Sequence, residues 1–110
     1  MKDSVTNFEY DDNLDSLYLY SGLNEDVMGV ISFSNLIFDV GVSGKLVGLE
    51  IENASKLLNI KANSLLKISD VKIFVQKQGN VVLLGFRINV GKETLRYNYV
   101  IPKEKIALNC

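Results

Sequence analysis

The run DVKIFVQKQGNVVLLGFRINVGKETLRYNYVIP, residues 70–102, constrains the fold more than any other part of the chain. Two glycine-headed dipeptides, Gly79–Asn80 and Gly91–Lys92, separate three alternating stretches, and both fit two-residue hairpin loops. Side chains alternate along a strand, so a two-residue loop fixes which residues face each other. The first loop places Val75 opposite Leu84, Ile73 opposite Phe86 and Val71 opposite Ile88. The second places Ile88 opposite Leu95, Phe86 opposite Tyr97 and Leu84 opposite Tyr99. One face of this three-stranded meander, about residues 69–101, is therefore apolar or tyrosine throughout. Pro102 cannot donate to a ladder, so it ends the last strand or lies at an edge.

The same register sets the opposite face. Lys72 falls opposite Arg87, and Arg87 opposite Arg96, with Phe74, Gly85 and Asn98 as the next row. Like charges directly opposed cost up to roughly 1 kcal/mol per pair, so an anion is expected beside them. It is either a carboxylate of the acidic half, a group on a partner protein, or a phosphate. An aromatic among cations on a sheet is also a surface that stacks single-stranded nucleic acid. Lys72, Phe74, Arg87 and Arg96 are thus the candidate partner or anion surface. The sequence pI of about 5.3 opposes general attraction to phosphate.

The first half reads as four shorter strands at 16–22, 26–34, 36–40 and 46–52. A turn about Ser43–Gly44 pairs Val40 with Val47, Phe38 with Leu49 and Leu36 with Ile51 on one face. The other face carries Asp39 opposite Gly48 and Ile37 opposite Glu50. Glu50 and Glu52, two apart, share that face, and Asp39, Glu50 and Glu52 form a candidate acidic face. Two carboxylates on one face can perform acid–base work when a pocket separates their pKa values. The bland reading is a polar strand face, because no phosphate loop or metal-ligand cluster accompanies them. In GVSGK the two glycines are three apart where a phosphate loop needs five. DDNLDS has alternating Asp and Asn as in a calcium loop, but Ser16 and Gly22 stand where glycine and glutamate are required, so it reads as an acidic turn. Tyr18, Tyr20, Tyr97 and Tyr99 read as half-buried packing residues. After the fourth strand the period of two breaks, and Asn53 and Asn63 are candidate caps for short helical turns within 53–67.

The expected fold is mostly β (α+β): an antiparallel sheet of about seven strands, from two hairpin units with a short helical segment between them, in one domain spanning 1–110. With no histidine, serine–histidine and cysteine–histidine catalysis are excluded. The single Cys110 cannot form an internal disulfide. No catalytic residue, metal or cofactor is expected. No apolar run reaches the roughly 18 residues that span a bilayer, and the N-terminus turns acidic where a signal peptide needs an apolar core. A cytoplasmic protein without membrane contact is expected. Residues 1–55 hold ten acidic and two basic residues, whereas residues 56–110 hold three acidic and ten basic. That asymmetry suits halves that attract each other within a protomer or across a homodimer, and a protein partner; nucleic acid is the alternative.

YDDNLDSLYLYSG followed by LIFDVGVSGKLVGLEIENASKLL resembles the small proteins catalogued as domain of unknown function 2283. The matching positions are Tyr10, Asp11, Asp15, Leu17, Tyr18, Asp39, Gly44, Leu46, Val47, Gly48, Glu50, Ile51, Ala54 and Ser55, within about residues 8–60. The resemblance implies a compact antiparallel unit with a short helix that self-associates. It also implies an antitoxin-like or partner-binding role as an alternative.

Overall fold

A computed structural model describes residues 2–102 and 107–108, and side chains for residues 7–102. Cys110 lies outside the described residues. The elements run β1 (Lys2–Asp11), β2 (Ser16–Tyr20), β3 (Val27–Phe33), β4 (Leu36–Gly41), β5 (Leu46–Ile51), α1 (Ala54–Leu57), a 3-10 turn (Ala62–Lys67), β6 (Ile68–Gln78), β7 (Val81–Val90), β8 (Glu93–Pro102) and β9 (Ala107–Leu108). All pairings are antiparallel, in the order β8-β7-β6-β1-β2-β5-β4-β3-β9. The mostly β class and the seven expected strands are present.

Two strands go beyond that expectation. β1 is the hinge of the architecture, because its first half pairs with β6 (Lys2 to Thr6 against Val75 to Val71) and its second half with β2 (Asn7 to Asp11 against Tyr20 to Ser16). One strand thereby joins the meander β6–β8 to the first-half sheet. Its sequence KDSVTNFEYD is too polar to signal a strand by hydrophobic alternation. β9 adds a two-residue pairing to β3.

The meander has the expected register in all six apolar pairs, and the cationic row Lys72–Arg87–Arg96 is in place. Gly79 and Gly91, the first loop residues, have φ of 55° and 58°, which suits glycine in a type II′ turn. In the first half Phe38–Leu49 and Leu36–Ile51 pair as expected. Val40 does not pair with Val47; a bulge shifts its partner to Leu46. Val47 is the extra residue and is only half-buried, while Leu46 takes the core position. β5 ends at Ile51, so Glu52 sits in the following turn and does not share a strand face with Glu50.

The inward faces supply one core. Leu17 and Leu19 of β2, Phe38 of β4, Leu49 and Ile51 of β5, Ile73 of β6 and Leu84 and Phe86 of β7 are fully buried in it. The helical segment adds Ala54, Leu58 and Leu65 to the same cluster. Tyr97 stacks on Phe86, with ring centroids 5.0 Å apart, and its hydroxyl donates to the Leu58 carbonyl at 3.2 Å. Phe33 meets Tyr99 edge-on at 5.2 Å, which brings β3 beside β8. Tyr97 and Tyr99 are half-buried packing residues, as their spacing predicts.

On the outer face of the meander the Phe74 ring lies against Gly85, where it occupies the space a Cβ would take. The Tyr97 carbonyl oxygen stands 2.8 Å from that Cβ position, so backbone as well as ring blocks it. Gly85→Val is therefore expected to destabilise the protein by about 1–3 kcal/mol, the usual cost of overpacking. Urea unfolding checks this; a midpoint unchanged from the parent would show that the ring does not need the glycine.

Candidate functional site

Three constellations hold the polar side chains of interest. The first forms where the turn after β1 meets α1. Asn53 holds the N-cap position, as expected, but it adopts a left-handed conformation with φ 51° and makes no side-chain capping bond. Asp15 takes that role from 40 residues away. Its carboxylate accepts the Ser55 amide (3.1 and 3.2 Å) and the Ser55 hydroxyl (2.6 Å), and its carbonyl accepts the Ala54 amide (2.9 Å). The Tyr10 hydroxyl donates to the same carboxylate at 2.6 Å. Burial pushes the Asp15 carboxyl up, but the bonds from Ser55 and Tyr10 outweigh it, and its pKa lies below the usual aspartate value. Burial, then the bond to Asp15, raises the Tyr10 phenol to about 12. Asp11 closes the preceding turn by accepting the Asn13 and Leu14 amides at 2.9 and 3.2 Å. DDNLDS is thus an acidic turn in which the Asp11 and Asp15 carboxylates are engaged by the fold.

The second constellation is the outer face of the meander. Arg87 forms a salt bridge with Asp70 at 3.1 Å, the one such pair among the described residues. Its Nε is buried with no hydrogen-bond partner. The expected anion beside the cations is thus Asp70, of the basic half itself. Asp39, Glu50 and Glu52 do not meet Lys72, Arg87 or Arg96. Lys72 and Phe74 are half-buried, and Arg96 is exposed on β8.

The third is the outer face of the first-half sheet. In register across it, Glu9 stands opposite Tyr18, Tyr18 opposite Glu50, and Glu50 opposite Ile37. The neighbouring row runs Asn7, Tyr20, Gly48, Asp39, Val30. Tyr18 and Tyr20 stack with centroids 5.4 Å apart and planes at 20°. The end of the Tyr18 ring lies over Gly48, where a Cβ would sit 2.5 Å from its hydroxyl oxygen. Burial pushes the Tyr18 phenol up, with Asp39 and then Glu50 adding to the effect. Burial also raises the Asp39 carboxyl. Tyr18, Tyr20, Leu23 and Val47, with Glu9 and Asn24, line an open groove of about 460 Å³. These two tyrosines are half-buried as expected, but they face a groove and not the core. The sequence signal was the pairing of Tyr18 and Tyr20 with Leu17 and Leu19 inward; Glu9 was missed because β1 was not read as a strand.

Comparison with known proteins agrees with the resemblance drawn from the residues. Residues 7–55 match the model of the family described as "Protein of unknown function (DUF2283)". Over 118 residues the chain is 26% identical to a Methanosarcina mazei protein provisionally named hypoxanthine phosphoribosyltransferase, covering 96% of this chain and 95% of that one. No solved structure matches the chain. No helix among the described residues is long and apolar enough to cross a membrane.

The Asp15 contacts carry a pH dependence with a defined sign. A carboxyl whose pKa is depressed by folding stabilises the native state above its unfolded value near 3.8, and that contribution is lost as pH falls through the lower native value. Asp15→Ala is expected to cost about 1–2 kcal/mol at neutral pH, the range for losing a helix cap. The gap between parent and variant should narrow as urea titrations move to pH 3; a constant gap would mean that the charge contributes nothing. The Tyr10 phenol, raised by folding, acts in the opposite direction: its contribution holds below pH 10 and is lost as pH rises through about 12. Ultraviolet titration of parent against Tyr10→Phe should show one tyrosine ionising near that upper value.

Proposed function

We propose that this chain is a non-catalytic cytoplasmic protein that self-associates and binds a protein partner through the outer faces of the two parts of its sheet. One observation supports this most. The cations Lys72 and Arg96, on either side of the Asp70-paired Arg87, and the carboxylates Glu9, Asp39 and Glu50 lie on outer faces of different parts of the sheet, and none of these five has an ion-pair partner among the described residues. Charge that the fold leaves uncompensated in this way is available for complementary contact with another surface.

Several carboxylates already have structural duties. Asp15 caps α1, Asp11 closes a turn, Glu25 accepts the Ser43 amide and hydroxyl at 2.9 and 2.7 Å, and Asp70 holds Arg87. Glu52, separated from Glu50 by the end of β5, gives no paired acid and base. These features favour a binding role over the phosphoribosyl transfer that the name of the Methanosarcina mazei relative describes. An antitoxin-like role is one form that partner binding takes in this reading.

The row Lys72, Arg87 and Arg96 beside Phe74 favours a second reading, recognition of single-stranded nucleic acid, because phosphate would relieve the opposed cations and the ring would stack a base. Two measurements test these readings. Light scattering across a concentration series should give a species larger than the monomer at low salt and a shift toward monomer at high salt; a monomer throughout would remove self-association. Fluorescence anisotropy with short labelled single strands decides the second, which requires binding that weakens with salt and with Arg87→Gln.

A further inference from the structure

The geometry points to the Tyr18–Tyr20 groove as a docking site for an extended, arginine-bearing segment of a partner protein. This inference rests on the partner-binding reading and adds the occupant's chemistry. Its first support is apolar and aromatic: the groove is walled by Tyr18, Tyr20, Leu23 and Val47 and open to solvent. A stacked tyrosine pair offers broad π-faces, to which a planar guanidinium binds both by stacking and by cation–π attraction.

Its second support is charge complementarity. Tyr18 is flanked in register by Glu9 on one side and Glu50 on the other, and Asp39 lies two strands from Tyr20, beyond Gly48. None of these carboxylates has an ion-pair partner among the described residues. The two rows contain Asn7, Glu9, Tyr18, Tyr20, Val30, Ser32, Ile37, Asp39, Gly48 and Glu50, and hence no cation. A guanidinium on the tyrosines would find carboxylates at its edge, where its fork of N–H donors binds best.

The third support is spacing. Tyr18 and Tyr20 are two residues apart on one strand, about 6.8 Å in an antiparallel sheet. Alternate side chains of an extended segment repeat at the same interval, so a segment running beside β2 stays in step with the pair; because the rings stack on each other, a guanidinium lies against an outer face of the pair and not between them. Gly48 stands between Tyr20 and Asp39 in register, and the hydroxyl end of Tyr18 lies over it, toward the Asp39 row.

The test is fluorescence anisotropy of the full chain with a fluorescein-labelled peptide of four arginine–serine repeats, alongside its lysine–serine and glutamate–serine counterparts. The arginine peptide is expected to bind, the lysine peptide several-fold more weakly, and the glutamate peptide not at all. Tyr20→Ala should weaken binding about fivefold or more, and Glu50→Gln should weaken it and flatten its salt dependence. Lys92→Glu, in the exposed turn between β7 and β8, should leave the site intact. Circular dichroism establishes that each variant is folded, and Tyr20→Phe, which retains the ring, should rescue most of the affinity. Equal affinity of parent and Tyr20→Ala, or of arginine and lysine peptides, overturns the assignment. If no peptide binds but Tyr20→Ala abolishes self-association, the occupant is a second copy and the assignment is again overturned. A monomer that binds the arginine peptide would refute self-association while leaving the groove's role standing.

Discussion

The carboxylate of Asp15 is the contact on which the first-half unit depends. It joins the end of β1 through Tyr10, the turn before β2 through its own backbone, and the start of α1 through Ala54 and Ser55. These pieces are distant in sequence and none fixes the others by local propensity. A four-residue helix has almost no stability of its own, since nucleation is costly and few bonds follow it. Held by Asp15, the same four residues place Ala54 in the core and direct Leu58 under Tyr97 of the meander. The positions that carry the family resemblance converge here: Tyr10, Asp15, Ala54 and Ser55 all take part. Their recurrence in the pattern thus has a structural cause, and no catalytic role is needed to account for it.

The second dependence is steric. Both outer faces are built around a glycine covered by an aromatic ring, Phe74 over Gly85 in the meander and Tyr18 over Gly48 in the first-half sheet. A ring laid across a glycine recovers apolar contact that the missing side chain would otherwise forfeit. It also flattens the ring against the sheet, which leaves neighbouring charges standing above it. The same device therefore stabilises each sheet and shapes its outer surface, with cations around the phenylalanine and carboxylates around the tyrosines.

How much of this was legible in the sequence follows from which interactions are local. In the meander, tight loops propagate register outward from Gly79 and Gly91, so pairs as far apart as Val71 and Ile88 are fixed by alternation alone. The β4–β5 hairpin was legible up to its bulge. Leu46, Val47, Leu49 and Ile51 are all apolar, and alternation cannot tell which of the first two is the inserted residue. β1 was illegible because half of its pairing is with β6, some 70 residues away, and its polar residues carry no period. Losing β1 concealed Glu9, and with it the flanking of Tyr18 by two carboxylates. The capping role of Asp15 was hidden for a similar reason: Asn53 holds the correct local position, and only the tertiary fold offers a better acceptor.

These dependences together explain why charge remains on both faces. The acidic and basic halves of the sequence become parts of one continuous sheet joined by β1, so each half turns its apolar face inward and its charged face outward. Folding this way cannot bring the carboxylates of β4 and β5 onto the cations of β6–β8, because both sets point away from the shared core. Among the described residues the ion pair within the chain joins charges on the same face, Asp70 with Arg87. A nearly neutral total charge thus coexists with two charged surfaces whose fields act separately at contact distances. The sequence asymmetry is therefore better understood as a consequence of two outward faces with different contacts than as an attraction between the halves of one protomer. On the proposed reading, such faces suit directional association, with the carboxylate-flanked tyrosines and the cationic row each facing its own counterpart.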